Sequence, residues 1–187
     1  MAQPYVYIEQ EPFVNMVLAS IETFRRECFG LVFGTMPSRS NNFYHVTNAV
    51  AIQLAKKRVN KEIEQSKMSK KRMMAIIRKY GQIYPLLGDF HSHPEWGLYR
   101  REPNMSDSDL RDMRKENFDI GIVLKIQLIN KERNIWESAP DGGIRGSIGD
   151  YKIHLNTVRL DEDGEEEVLQ IKASAAVKAL NRAIGYT

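Results

Sequence analysis

The chain has 187 residues, 42% of them hydrophobic and 27% charged, enough to bury a core without disulfide staples and ordinary for a soluble globular protein. A formal charge of +3 does not by itself argue for nucleic acid, and no apolar run approaches the length of a bilayer span. Cys28 is the single cysteine, which excludes an intramolecular disulfide and fits a buried thiol in a reducing compartment. Met1-Ala2-Gln3-Pro4 lacks a charged segment followed by an apolar one, so the expected setting is cytoplasmic, with no membrane partner.

In chain order, Tyr5 to Ile8 reads as a short opening strand. Glu11 to Arg26 carries Phe13, Val14, Met16, Val17, Leu18, Ile21 and Phe24 at helical spacing and ends in two arginines. Glu27 to Thr35 is apolar apart from its first residue and its glycines, which predicts a buried strand whose Gly30 and Gly34 admit close backbone approach. After a polar turn over Pro37 to Asn42, Phe43 to Leu54 reads as a second strand, antiparallel to the first. His45 lies in it with no second ligand at a useful spacing and reads as a surface or packing histidine; His154 reads the same way.

From Val59 to Tyr80 the pattern predicts a long helix or a helix pair broken near Ser66 to Ser69, with Gly81 as the cap. Its cations, Lys56-Lys57-Arg58, Lys61, Lys67, Lys70-Lys71-Arg72, Arg78 and Lys79, and the acidic run 161–167 read as solvated faces. A buried strand then runs through Leu86-Leu87-Gly88-Asp89-Phe90-His91-Ser92-His93, and Pro94 is expected to turn the chain out of the sheet. Alternation along a strand presents His91 and His93 to one point, with Ser92 facing away. Ser106-Asp107-Ser108-Asp109 opens a helix running to about Asn117, with Asp109 in its first turn. Two imidazoles and a carboxylate suit zinc with a fourth position left to water. Asp107 and Asp112 are neighbours that could take the place of Asp109.

Further on, Ile120 to Ile129 reads as a central strand and Arg133 to Glu137 as its hairpin partner across Asn130-Lys131-Glu132. The glycine-rich 141–149 stretch reads as a flexible loop; it lacks the ending and the context of a phosphate loop. Tyr151 to Leu160 and Val168 to Ile171 are strands joined by a turn at Asp163-Gly164, and Ala173 to Ile184 is a closing helix. Nothing divides the chain, so one domain over 1–187 is expected.

The pattern His-Ser-His-Pro followed by Ser-x-x-Asp, with Glu27-Cys28-Phe29-Gly30-Leu31-Val32-Phe33-Gly34 upstream, resembles the JAMM (MPN-domain, Mov34/PAD-1 type) zinc metalloproteases, in particular their prokaryotic stand-alone members. The gap from His93 to Ser106, which carries Trp96, Tyr99, Arg100, Arg101 and Pro103, is longer than in the eukaryotic deubiquitinases of that family. The resemblance implies an α/β (α+β) fold with a mixed, mostly antiparallel curved sheet flanked by helices, the cytidine-deaminase-like MPN fold. It also implies one zinc per chain on His91, His93 and Asp109, Glu27 as general base and Ser106 as oxyanion donor. The implied substrate is an isopeptide or peptide bond at the C-terminus of ubiquitin or a ubiquitin-like protein. A homodimer fits the family, and nucleic acid is not an expected partner. The alternative is a non-catalytic scaffold or interaction module of the same fold; a nucleotide deaminase is disfavoured because no Pro-Cys-x-x-Cys pair is present.

Overall fold

A computed structural model describes residues 3–52, 55–59, 62–65, 67–80, 85–98, 104–129 and 134–186. The elements are β1 (Tyr5–Ile8), α1 (Gln10–Glu22), β2 (Phe29–Thr35), β3 (Phe43–Ala51), β4 (Ala55–Val59), β5 (Glu62–Gln65), α2 (Lys67–Tyr80) and β6 (Leu86–Glu95). They continue with α3 (Asp107–Glu116), β7 (Ile120–Leu128), β8 (Glu137–Ser138), β9 (Ile144–Ile148), β10 (Tyr151–Leu160), β11 (Glu166–Lys172) and α4 (Ser174–Ala183).

Nine strands form one mixed sheet in the order β11-β1-β3-β2-β6-β7-β10-β9-β8, and β10 also pairs with β11. That extra pairing joins the two ends of the run from β11 to β10, so the sheet bends round on itself. β1 is parallel to both of its neighbours and β6 is parallel to β7, while the remaining pairs are antiparallel. This is the mixed, mostly antiparallel sheet flanked by helices that the resemblance implies.

The main core lies on one face of the sheet. Phe13, Met16 and Val17 of α1 and Ala176 and Leu180 of α4 pack there against Val32, Phe90, Ile122, Leu124, Ile126 and Leu155. Apolar side chains at these helical and strand spacings leave no other face to bury. Trp136 closes this core, its indole N–H donating to the Ser147 carbonyl at 3.0 Å. The opposite face carries a smaller cluster in which Met113 of α3 and Met105 meet Val123 and Val158. β7 thus sends alternate residues to opposite faces, and α3 covers the second.

Several expectations need correction. Helix α1 ends at Glu22, not Arg26, because a tight turn follows in which Arg26 N–H donates to the Thr23 carbonyl at 2.8 Å and Arg25 takes a left-handed φ of 78°. The start of the predicted long helix is a β4–β5 hairpin, paired Val59↔Glu62, and only Lys67–Tyr80 is helical; Gly81 lies outside the described residues. β7 pairs with β6 and β10 rather than with the segment before Glu137, whose strand β8 pairs with β9. The supposed flexible loop holds β9, which aligns Ile144–Ile148 with Tyr151–Leu155 of β10.

Pro94 does not end its strand. β6 runs to Glu95, with Pro94 opposite Ile126 of β7. The pairing of β6 with β2 stops at His91, and a last backbone bond joins Ser92 N–H to the Cys28 carbonyl at 3.2 Å. Successive N–H groups alternate sides, so the donor that Pro94 lacks would point to the side where β2 has already ended. The two glycines of β2 behave as expected: a Cβ on Gly30 would lie 2.1 Å from the Phe90 ring and one on Gly34 1.7 Å from the His45 carbonyl oxygen.

Candidate metal centre

His91 and His93 share one face of β6, which β7 flanks along this stretch and β2 flanks as far as His91. Their rings stand 5.0 Å apart, centroid to centroid, and both are buried. Register places His91 opposite Val123 of β7, and Val123 belongs to the cluster under α3. The histidines therefore look toward the helix that carries Asp109.

Ser106 caps α3. Its backbone N–H donates to Asp109 Oδ2 at 2.8 Å, its hydroxyl donates to the same oxygen at 2.6 Å, and Asp109 N–H returns a bond to Ser106 Oγ at 3.4 Å. This reciprocal capping box fixes the Asp109 rotamer at the positive end of the helix dipole. Asp109 Oδ2 then lies 3.5 Å from His91 Nε2 and 3.6 Å from His93 Nε2. Asp107 and Asp112 are exposed on the helix, so Asp109 is the carboxylate that the fold brings to the histidines.

One ligand atom from each of His91, His93 and Asp109 lies within 4.8 Å of the others. A tetrahedral metal with bonds of about 2.1 Å has donor-to-donor edges of about 3.4 Å, close to the two carboxylate separations. His91 Nε2 is moreover buried without a hydrogen-bond partner, which is costly in a folded protein and is what a ligand atom facing a metal looks like. The donor set fits a divalent metal ion.

Burial alone pushes the His91 imidazolium down in pKa, but Asp109 and Asp89 more than reverse this and raise it to about 10. Burial alone would likewise raise Asp109; His91, His93 and Ser106 instead hold it well below the usual carboxylate range.

Glu27 lies just before β2 and is buried. The register Phe29↔His91 and the Cys28–Ser92 backbone bond bring the residue that follows Glu27 against the strand that carries both histidines. Ser92 holds this approach: its buried hydroxyl accepts from Cys28 N–H at 2.8 Å. The hydroxyl that faces away from the metal thus ties the Glu27 segment to the histidine strand.

Sequence reasoning passed over Asp89. This carboxylate is buried, its Oδ2 lies 3.5 Å from His91 Nδ1, and its Oδ1 has no hydrogen-bond partner. The available signal was its place two residues before His91 in an otherwise apolar strand. His45 and His154 sit apart from the centre, at 2.8 Å from Glu9 and 3.1 Å from Asp141 respectively, each with a local acid as expected of packing or surface histidines.

A family model described as JAB1/Mov34/MPN/PAD-1 ubiquitin protease matches residues 4–110, a span that contains Glu27, both histidines and Asp109. The chain belongs to this family. The MPN domain of the family accounts for the architecture described above, and the family includes metalloproteases. A solution structure of protein DSY2949 from Desulfitobacterium hafniense has the same fold, with a TM-score of 0.50 and 19% identity over 90% of this chain and 93% of that one. No curated protein matches the chain. Among the described residues no helix is long and apolar enough to cross a membrane.

Proposed function

We propose that this MPN-domain chain is a zinc-dependent hydrolase that cleaves an isopeptide or peptide bond at the C-terminal tail of a ubiquitin-like protein, in the cytoplasm. The observation that carries the reading is the convergence of His91, His93 and Asp109 on one point; a buried glutamate, Glu27, on the segment tied to the histidine strand through Cys28 and Ser92 supports it. Zinc held by these three would supply Lewis acidity, making a water nucleophilic near neutral pH and polarising the scissile carbonyl.

The chain's own residues do the rest. Glu27 takes the proton from the attacking water and returns it to the leaving amine. Ser106 donates to the oxyanion, a contact whose loss typically costs roughly 3 kcal/mol. Its single proton goes to Asp109 in the resting arrangement, so donation to substrate leaves Asp109 with the Ser106 backbone N–H.

Zinc per chain in the purified protein, compared with His93→Ala and Asp109→Ala, is the first test. About one zinc in the wild type and loss in both variants is expected. Cleavage of ubiquitin-like fusions should then fall by about 10²–10⁴ in Glu27→Gln, the range for removing a general base. Zinc bound without cleavage of any such fusion would favour the scaffold reading instead.

A further inference from the structure

The two segments that carry Glu27 and His93 run side by side past the metal centre, and two residues before Glu27 and two after His93 they line a cavity of about 470 Å³ formed by Arg25, Glu95, Trp96, Gly97, Gln127 and Leu128. Three observations there point to a missing acceptor. The indole N–H of Trp96 is buried and has no hydrogen-bond partner. Among the described residues Arg25 has no carboxylate in ion-pair reach; its guanidinium lies over the Trp96 ring, 5.7 Å from the centroid. Arg25 is also held at φ 78°, a left-handed backbone that a long side chain adopts at a cost and that clusters at functional sites.

The acid in the cavity faces a cation from outside it. Glu95, buried on the same face as His93, has Oε1 3.1 Å from Lys125 Nζ, so Arg25, Glu95 and Lys125 together carry one net positive charge. A carboxylate is the group that fits. One of its oxygens can take the indole N–H while the guanidinium takes the other, and Leu128 offers apolar surface to the attached chain.

We propose that this cavity is a recognition subsite for a peptide carboxylate close to the bond cut at the metal centre. The inference rests on the hydrolase reading for what the ligand is part of, but not for whether the subsite binds. The carboxylate has two possible sources, an acidic side chain within the substrate or the free C-terminus of a peptide product, and the same donors would hold either.

Calorimetric titration of the zinc-loaded full chain with four alanine-based pentapeptides separates these cases. One acetylated and amidated peptide carries a central glutamate, a second carries glutamine, and the other two are all-alanine with a free or an amidated C-terminus. Binding of a carboxylate-bearing peptide about tenfold tighter than its neutral counterpart is expected, as for a charged hydrogen bond. The preference should vanish in Arg25→Asn, which keeps a residue tolerant of the left-handed backbone, and in Trp96→Phe, which keeps the ring but not the donor. The glutamate peptide identifies a side-chain source and the free-acid peptide a terminal one. Equal binding of charged and neutral peptides, or a preference that survives Arg25→Asn, overturns the subsite. Loss of fusion cleavage with peptide preference intact would overturn only the hydrolase reading, and cleavage without the preference only the subsite.

Discussion

His91 faces a carboxylate with each ring nitrogen, Asp89 through Nδ1 at 3.5 Å and Asp109 through Nε2 at 3.5 Å. A histidine whose Nδ1–H is taken by an acid presents Nε2 as the ligand atom and keeps its ring from turning. Asp89→Ala is therefore expected to weaken zinc binding about 10- to 100-fold, with Asp89→Asn retaining most of the affinity because an acceptor remains. Competition against a chelator of known affinity measures it, and an unchanged affinity in Asp89→Ala would remove Asp89 from the site. At this scale the sequence was most legible where chemistry demands a spacing: alternation brought His91 and His93 together, while the choice of Asp109 over Asp107 and Asp112 rested on the resemblance and waited for the fold, which leaves the other two exposed. Asp89 and Arg25 were not legible as parts of a site. Their meaning depends on what stands opposite them, and one strand read alone does not give its neighbour.

The starts of α1, α3 and α4 and the cores of β2, β3, β6, β7 and β10, whose signals are local, came through from the sequence with their ends shifted by a few residues, whereas the β4–β5 hairpin and β9 did not. Ser106 and Asn117 bracket α3, the one as cap and the other at a left-handed φ of 56°, as side-chain chemistry at helix ends requires. Pairings were less legible, because a strand chooses its neighbours by the whole sheet. β7 bypasses the next segment and pairs with β6 and β10, and Pro94 is tolerated only because β2 stops short of it. The Cys28–Ser92 contact belongs to this level as well, a cross-strand bond that aligns two segments of the centre. Ser92→Ala leaves the Cys28 N–H without this buried acceptor and is expected to cost about 1–3 kcal/mol in denaturant unfolding. Zinc content should stay near the wild-type level, since no ligand is touched, while cleavage drops with the displacement of Glu27. A variant of wild-type stability would mean that the Ser92 hydroxyl aligns nothing.

For the molecule as a whole, the cluster of His91, Asp89 and Asp109 couples stability to pH. The folded pKa of His91, about 10, stands above its unfolded value of about 6.5. Its contribution is thus full below about 6.5 and is lost as pH rises through 10. Asp109 is shifted the other way, so its contribution is present above about 3.9 and lost as pH falls below that. Chelator-treated protein should lose stability steadily between about pH 6.5 and 10, and His91→Gln should flatten that slope; urea midpoints across the range measure it. A wild-type profile without the slope would deny the ion pair in the metal-free state. The closure of the sheet through β10 and β11 also sets an order in time. Every proposed zinc donor has been synthesised by residue 109, yet β7, which flanks the histidine strand, starts at 120 and the closing strand β11 ends at 172. Translation at about 5–20 residues per second leaves an interval on the order of 3–13 s in which the ribosome displays ligands without a scaffold. An ion arriving then would meet its donors before the strands that flank and close the sheet have been made.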